Sequence, residues 1–156
     1  MGIKDEMFMQ LALAQARLAA QAGEVPVGAV VVRGSDVIAA SHNLRETNKN
    51  ALAHAELLAI GEACRALGGW RLTGCTLYVT LEPCPMCAGG IINSRISRLV
   101  YGAGDPKAGC CGSVANLFDM PFNHRPAITS GVLAQDCARL LSDFFSQRRL
   151  CKTPVQ

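Results

Sequence analysis

Two short stretches, LAHAE (52–56) and EPCPMC (82–87), constrain this chain more than anything else in it. Cys84 and Cys87 have the C-x-x-C spacing that lets two sulfurs converge on one metal, and His54 is a third donor. A fold that serves such a cluster must bring two remote segments to one point. It does so with three ligands, whereas a closed structural zinc takes four. Pro85 suits the first turn of a helix. If Cys84 opens that helix, unpaired backbone N–H groups and the positive end of the helix dipole favour the thiolates.

Glu56 decides what the open fourth position is for. Positions i and i+2 of a helix do not face each other, so Glu56 is poorly placed to share a metal with His54. A carboxylate beside the cluster, outside the ligand set, can instead take a proton from a metal-activated water and hand one to a leaving amine. Rival readings remain open at this point. A lone C-x-x-C also suits thioredoxin-like redox chemistry or simple burial, and Cys110 or Cys111 of the glycine-rich loop could complete a structural zinc.

The rest of the chain alternates helices and strands. Met7, Leu11, Ala14 and Leu18 recur at helical spacing within 5–22, and Gly23 is a plausible stop. VPVGAVVV (25–32), the turn RGSD (33–36) and VIAA (37–40) predict a β-hairpin, followed by a polar loop over 41–50. A helix is expected from His54 to about Leu67, a strand over 75–82, a helix from Pro85 to about Asn93, and strands over 97–103 and 126–133. In the last helix, 134–150, Cys137, Leu140, Leu141, Phe144 and Phe145 form one apolar stripe, which reads Phe144 and Phe145 as core residues. Such alternation implies an α/β layered fold, and the hairpin makes its sheet mixed.

Composition sets the class. At 156 residues, half of them apolar and 17% charged, the chain is expected to be a single globular domain over 1–156, with no run long enough to span a bilayer. The first ten residues lack the basic and apolar regions of a secretory signal, so the eight cysteines read as thiols, ligands or core residues in a cytoplasmic protein. A net charge of +3 leans only mildly towards anionic partners.

H-x-E followed by P-C-x-x-C is the signature of zinc-dependent nucleobase deaminases. EVPVGAVVV (24–32), AHAE (53–56), LYVTLEPCPMCAGGIINSRI (77–96) and LLSDFFSQRR (140–149) more narrowly resemble the bacterial tRNA-specific adenosine deaminases, of the cytidine/deoxycytidylate deaminase superfamily. The resemblance runs from about Asp5 to Arg149. It implies a three-layer α/β/α fold with a central mixed sheet of about five strands. It also implies hydrolytic conversion of adenosine to inosine at the wobble position of a tRNA anticodon, usually that of an arginine tRNA. One zinc per chain would be held by His54, Cys84 and Cys87, with Glu56 as proton shuttle and no organic cofactor.

The same resemblance assigns contacts that side-chain chemistry alone does not reveal. Asn43 matches the asparagine that hydrogen-bonds the purine, although a turn residue is its plainer reading. Val25, Pro26 and Val27 match the lining of the base pocket; the backbone of Ala55 and Pro83 matches contacts to the reacting centre. Asp105 matches an aspartate beside bound RNA, with Lys107 its neighbour, and Phe145 matches a contact to the anticodon loop. Arg45, Lys49, Arg148, Arg149 and Lys152 are candidate phosphate contacts. A homodimer whose interface helps form the RNA site is implied, with a tRNA anticodon stem-loop as partner.

Two departures stand out: Gly104 occupies a position that is arginine in many relatives, and Cys110 and Cys111 replace small residues. His124 reads as a packing or capping histidine. A free guanine or cytosine deaminase shares H-A-E and P-C-P-M-C and is the enzymatic rival; a silent zinc-binding RNA module is the other, although it gives Glu56 no task.

Overall fold

Five successive residues of β1 (Gly28–Arg33) are buried, Gly28 to Val32, so this strand must lie inside a sheet covered on both faces. It pairs antiparallel with β2 (Asp36–His42), through a register shift between Val31 and Val32, and antiparallel with β3 (Cys75–Leu81). Parallel pairing then adds β4 (Arg98–Ala103) and the short β5 (Ala127–Thr129). The computed structural model describes residues 2–151; Lys152 lies outside them. Its sheet order is β2-β1-β3-β4-β5, which is the mixed five-stranded sheet the sequence predicts.

Strand alternation divides the core in two. Ala29, Val31, Leu77 and Val79 face α2 (Ala55–Leu67) and α3 (Pro85–Asn93), whose Ala59, Ile60, Ala63, Ala88 and Ile91 fill that side. Val30, Val32, Tyr78 and Val100 face α1 (Ile3–Gln21) and Cys137 of α4 (Ala134–Cys151). The result is three layers, α/β/α. At Gly28 a Cβ would strike the backbone of Ala12 and come within 2.5 Å of Ala16 N, so only glycine lets α1 lie this close to β1.

The structure corrects several local expectations. The α1 face that packs on the sheet is Phe8, Met9, Ala12, Leu13, Ala16 and Ala19, whereas Met7, Leu11, Ala14 and Leu18 are exposed. Both sets have helical spacing, and the buried one has Ala12 and Ala16 at the point where the helix backbone approaches Gly28. Val25 to Val27 precede β1 rather than begin it, and β2 runs on to His42. β5 has three residues instead of eight. In α4 only Cys137 is fully buried, Phe144 is half-buried and Phe145 is 42% exposed: the helix packs on the sheet by its first half.

An ion pair anchors the start of α1 to three strands. Arg98 of β4 donates from both terminal nitrogens to Asp5, each at 2.8 Å, and also donates to Thr129 of β5 at 3.0 Å. The hydroxyl of Tyr78 on β3 donates to Asp5 at 2.8 Å. The Arg98 hydrogen bonds hold the Asp5 carboxyl down to about 2, against burial. A depressed folded-state pKa contributes stability above the ordinary aspartate range, and that stability is lost as pH falls from about 4 through about 2. Asp5→Asn should therefore cost about 2 kcal/mol at pH 7. Urea unfolding should show the gap to wild type unchanged down to about pH 4 and closing below it.

Candidate active site

The segments that carry the metal donors both end as helix N-caps. His54 is the extended N-cap of α2 (φ −77°, ψ 149°) and Cys84 that of α3 (φ −74°, ψ 174°), with Pro85 at the first helical position as expected. Their carbonyls already accept from the first turns, Leu58 N at 3.0 Å and Ala88 N at 2.9 Å. Two helix N-termini thus point at one spot, off the carboxyl end of β3. Such ends stabilise negative charge, here that of thiolates.

His54 Nδ1 lies 3.6 Å from Cys84 Sγ and 3.5 Å from Cys87 Sγ. The donor atoms of these three residues all fall within 4.8 Å of one another, an arrangement that could hold a metal ion. One imidazole and two sulfurs suit a tetrahedral ion with one position open. Among the described residues Cys110 and Cys111 do not join the cluster, so neither supplies a fourth ligand. The Cys84 thiol is pulled down to about 4, first by its hydrogen bond with Cys87 and then by His54. Cys87 is pushed up by that same bond and by burial; the bond with Cys84 raises His54.

His54 and Cys84 open on a cavity of about 210 Å³ lined also by Val25, Val27, Asn43, Arg45, Ala55 and Glu56. Glu56 is in the first turn of α2 and only 4% exposed, and burial pushes its carboxyl up. The expected i, i+2 divergence needs amending. Because His54 is an extended cap rather than a helical residue, both side chains reach the same cavity from different backbone conformations.

Asn43 is buried and half-committed: Nδ2 donates to Val25 O at 3.2 Å, and Oδ1 accepts from Arg45 N at 3.0 Å. One N–H and one lone pair are left for a ligand. Pro26 is buried and absent from the cavity lining, unlike Val25 and Val27. Pro83 is buried, and its carbonyl accepts from Cys110 N at 2.8 Å.

Asp105 is on the cavity wall, but its Oδ1 accepts from Lys107 N at 3.0 Å and Ala108 N at 3.3 Å, turning its own loop. A Cβ on Gly104 would meet its neighbours at 3.5 Å, so the loop has room for a side chain there. His124 packs as expected, with Nε2 2.7 Å from Ile96 O.

Of the cations expected as phosphate contacts, Arg45, Arg148 and Arg149 meet in a second cleft, of about 490 Å³, whereas Lys49 does not line it and Lys152 lies outside the described residues. Arg45, Glu46, Lys107, Phe145, Arg148 and Arg149 line the cleft, and Arg45 lines both. The sequence reading missed Glu24 and Glu82, which are 0% and 3% exposed. Glu24 accepts from Glu46 N at 3.0 Å and Thr47 N at 2.7 Å. Glu82 accepts from Asp105 N at 3.1 Å, Cys111 N at 2.9 Å and Ser113 N at 3.2 Å, and from the Ser113 hydroxyl. Burial alone would raise both carboxyls; these donors more than offset it and hold both below the usual range. A charged residue in an otherwise apolar strand end was the available signal.

Residues 3–149 match the MafB19-like deaminase family. A tRNA-specific adenosine deaminase of Bacillus subtilis (strain 168) is 53% identical, over 94% of this chain and 91% of that protein. A solved structure from a study of A-to-I editing by tRNA:A34 deaminases at the wobble position superposes with TM-score 0.84 at 48% identity. That match covers 86% of this chain and 99% of the other. A guanine deaminase from Nitrosomonas europaea superposes with TM-score 0.77 at 26% identity, over 90% and 84% of the two chains.

The thiol asymmetry is testable. After chelation, Cys84 should be the thiolate at pH 6, since that pH lies above its value of about 4. Iodoacetamide should then alkylate Cys84 ahead of Cys75, Cys87, Cys110 and Cys137, which burial raises. Peptide mass spectrometry reads the order.

Proposed function

Because the chain belongs to the MafB19-like deaminase family and to the tRNA-specific adenosine deaminases, we propose that it hydrolytically deaminates adenosine to inosine at the wobble position of a tRNA anticodon. His54, Cys84 and Cys87 would hold one zinc per chain. Zinc, when bound in such a site, activates a water as nucleophile near neutral pH.

Glu56 carries this reading. It is a buried carboxylate on the wall of the cavity that His54 and Cys84 also line, and it is not one of the three clustered donors. Burial raises it towards the protonated form, which suits a group that must accept a proton and return it within one turnover. In the proposed cycle Glu56 takes a proton from the attacking water and gives it to N1 of the purine, then takes the proton of the new C6 hydroxyl and gives it to the amino group, which departs as ammonia. Asn43 uses its uncommitted N–H and lone pair on the purine edge. Val25 and Val27 supply apolar wall against the base. The N–H of Ala55 and the second lone pair of the Pro83 carbonyl are the proposed backbone contacts to the reacting centre.

The second cleft supports RNA over a free base. Arg45 joins it to the base cavity, and Lys107, Arg148 and Arg149 line it together with the exposed Phe145. Cations for phosphate with an aromatic for stacking are what a splayed single-stranded loop requires. The family reading further assigns an arginine tRNA as substrate, a homodimer that helps form the RNA site, and a cytoplasmic location. No helix among the described residues is long and apolar enough to cross a membrane.

The decisive assay incubates zinc-loaded protein with an anticodon stem-loop containing A34, and separately with free guanine, cytosine and adenosine. Inosine should form in the RNA alone; deamination of guanine without RNA product would overturn the reading. Glu56→Ala should keep its zinc by metal analysis while kcat falls by about a hundredfold or more. Loss of zinc in that variant would place Glu56 among the ligands instead.

A further inference from the structure

Glu24 and Glu82 are the buried carboxylates around the cavity that the chemistry leaves unused. Each is anchored on regular structure. Glu24 follows α1, and its N–H donates to Ala19 O at 2.9 Å; Glu82 follows β3, and its N–H donates to Ala103 O at 2.8 Å. Each turns its carboxylate into a loop with no strand partner. The Glu24 oxygens hold Glu46 N and Thr47 N of the loop that contains Arg45 and begins at Asn43. Those of Glu82 hold Asp105 N, Cys111 N, Ser113 N and the Ser113 hydroxyl, in the loop that contributes Asp105 and Ala108 to the cavity. The second loop is moulded on Glu82: a Cβ on Gly109 would collide with the carboxylate.

We propose that Glu24 and Glu82 are paired positioning residues, each fixing one of the two loops that wall the base cavity and carry Arg45 and Lys107 to the cleft beside it. The proposal rests on reading that cavity as the adenosine site. Apart from one isolated bridge, Cys111 to Asn116, the described residues of these loops join no strand ladder, so the placing of the groups they carry for binding depends on their other contacts. A carboxylate is the group that meets this need, since both of its oxygens accept. Glutamine is nearly isosteric, but its NH2 would face backbone N–H donors that then lose their partner. The ligand set His54, Cys84 and Cys87 makes no use of either side chain.

The test compares wild type with Glu24→Gln and Glu82→Gln, and with Ser113→Ala, which removes one donor away from the metal ligands. Amide hydrogen exchange, read without reference to activity, should accelerate at Glu46 and Thr47 in E24Q and at Asp105, Cys111 and Ser113 in E82Q. Zinc content should stay at one per chain. On the stem-loop, KM should rise about tenfold in each glutamine variant while kcat changes by less than about threefold, with S113A shifted the same way but less. Unchanged exchange in the loops would overturn the proposal. So would a fall in zinc content that tracks kcat, because the carboxylates would then serve the metal site. If wild type fails to edit the RNA, the functional reading falls while the exchange result still judges the positioning role.

Discussion

Two helices begin at the same place, and the site depends on it. β3 ends at Leu81, three residues before Cys84 caps α3; α2 starts beside it with His54 as cap. Neither helix could aim its first turn there unless both packed on the same face of the sheet, which the alanines and isoleucines of α2 and α3 secure. Once they do, the local electrostatics favour thiolate, and an extended cap lets His54 and Glu56 share a cavity despite being two residues apart. The core therefore shapes the chemistry directly: its packing sets the point of convergence.

Much of this was legible in the sequence because periodicity and capping are local. The hairpin, α2, β3 and α3 stand close to where their patterns put them. Periodicity does not choose between two faces of a helix that are equally periodic. In α1 Met7, Leu11 and Leu18 point outward, because the buried stripe is the one that sets Ala12 and Ala16, rather than larger residues, against Gly28. In α4 helical spacing identified a face but not where the sheet beneath it ends, so Phe145 read as core. Asp105 illustrates a different limit: a family match gave it a position on the wall, while its own Asx turn, visible only in three dimensions, occupies one carboxylate oxygen. Glu24 and Glu82 left no periodic trace, since their partners are backbone amides 22 to 31 residues away.

The two ends of the sheet divide the labour between stability and chemistry. Around Arg98 at the start of β4, Asp5, Tyr78 and Thr129 complete a satisfied polar network that joins α1 to three strands. At the other end the buried carboxylates Glu24 and Glu82 face loops rather than cations. A buried carboxylate paired with arginine fixes elements that already have hydrogen-bonded ladders. One that accepts from backbone amides gives order to segments that have none, which is why such groups occur beside the cavity.

That arrangement also bears on how, in the proposed reaction, a base and a backbone would be met differently. The cavity at His54 and Cys84 is small, is lined by Val25 and Val27 and leaves Asn43 one donor and one acceptor, so in the proposed reaction it would select a base by shape and by hydrogen bonding at its edge. The adjoining cleft is larger and rich in cations, and its attraction to phosphate needs no sequence and weakens with salt. Arg45 belongs to both, and its backbone N–H donates to Asn43, so a residue of the small cavity also fixes the backbone of a cation that the cleft shares. A free nucleoside, which brings no flanking phosphates to the cleft, engages only half of the surface on which the proposed reaction relies.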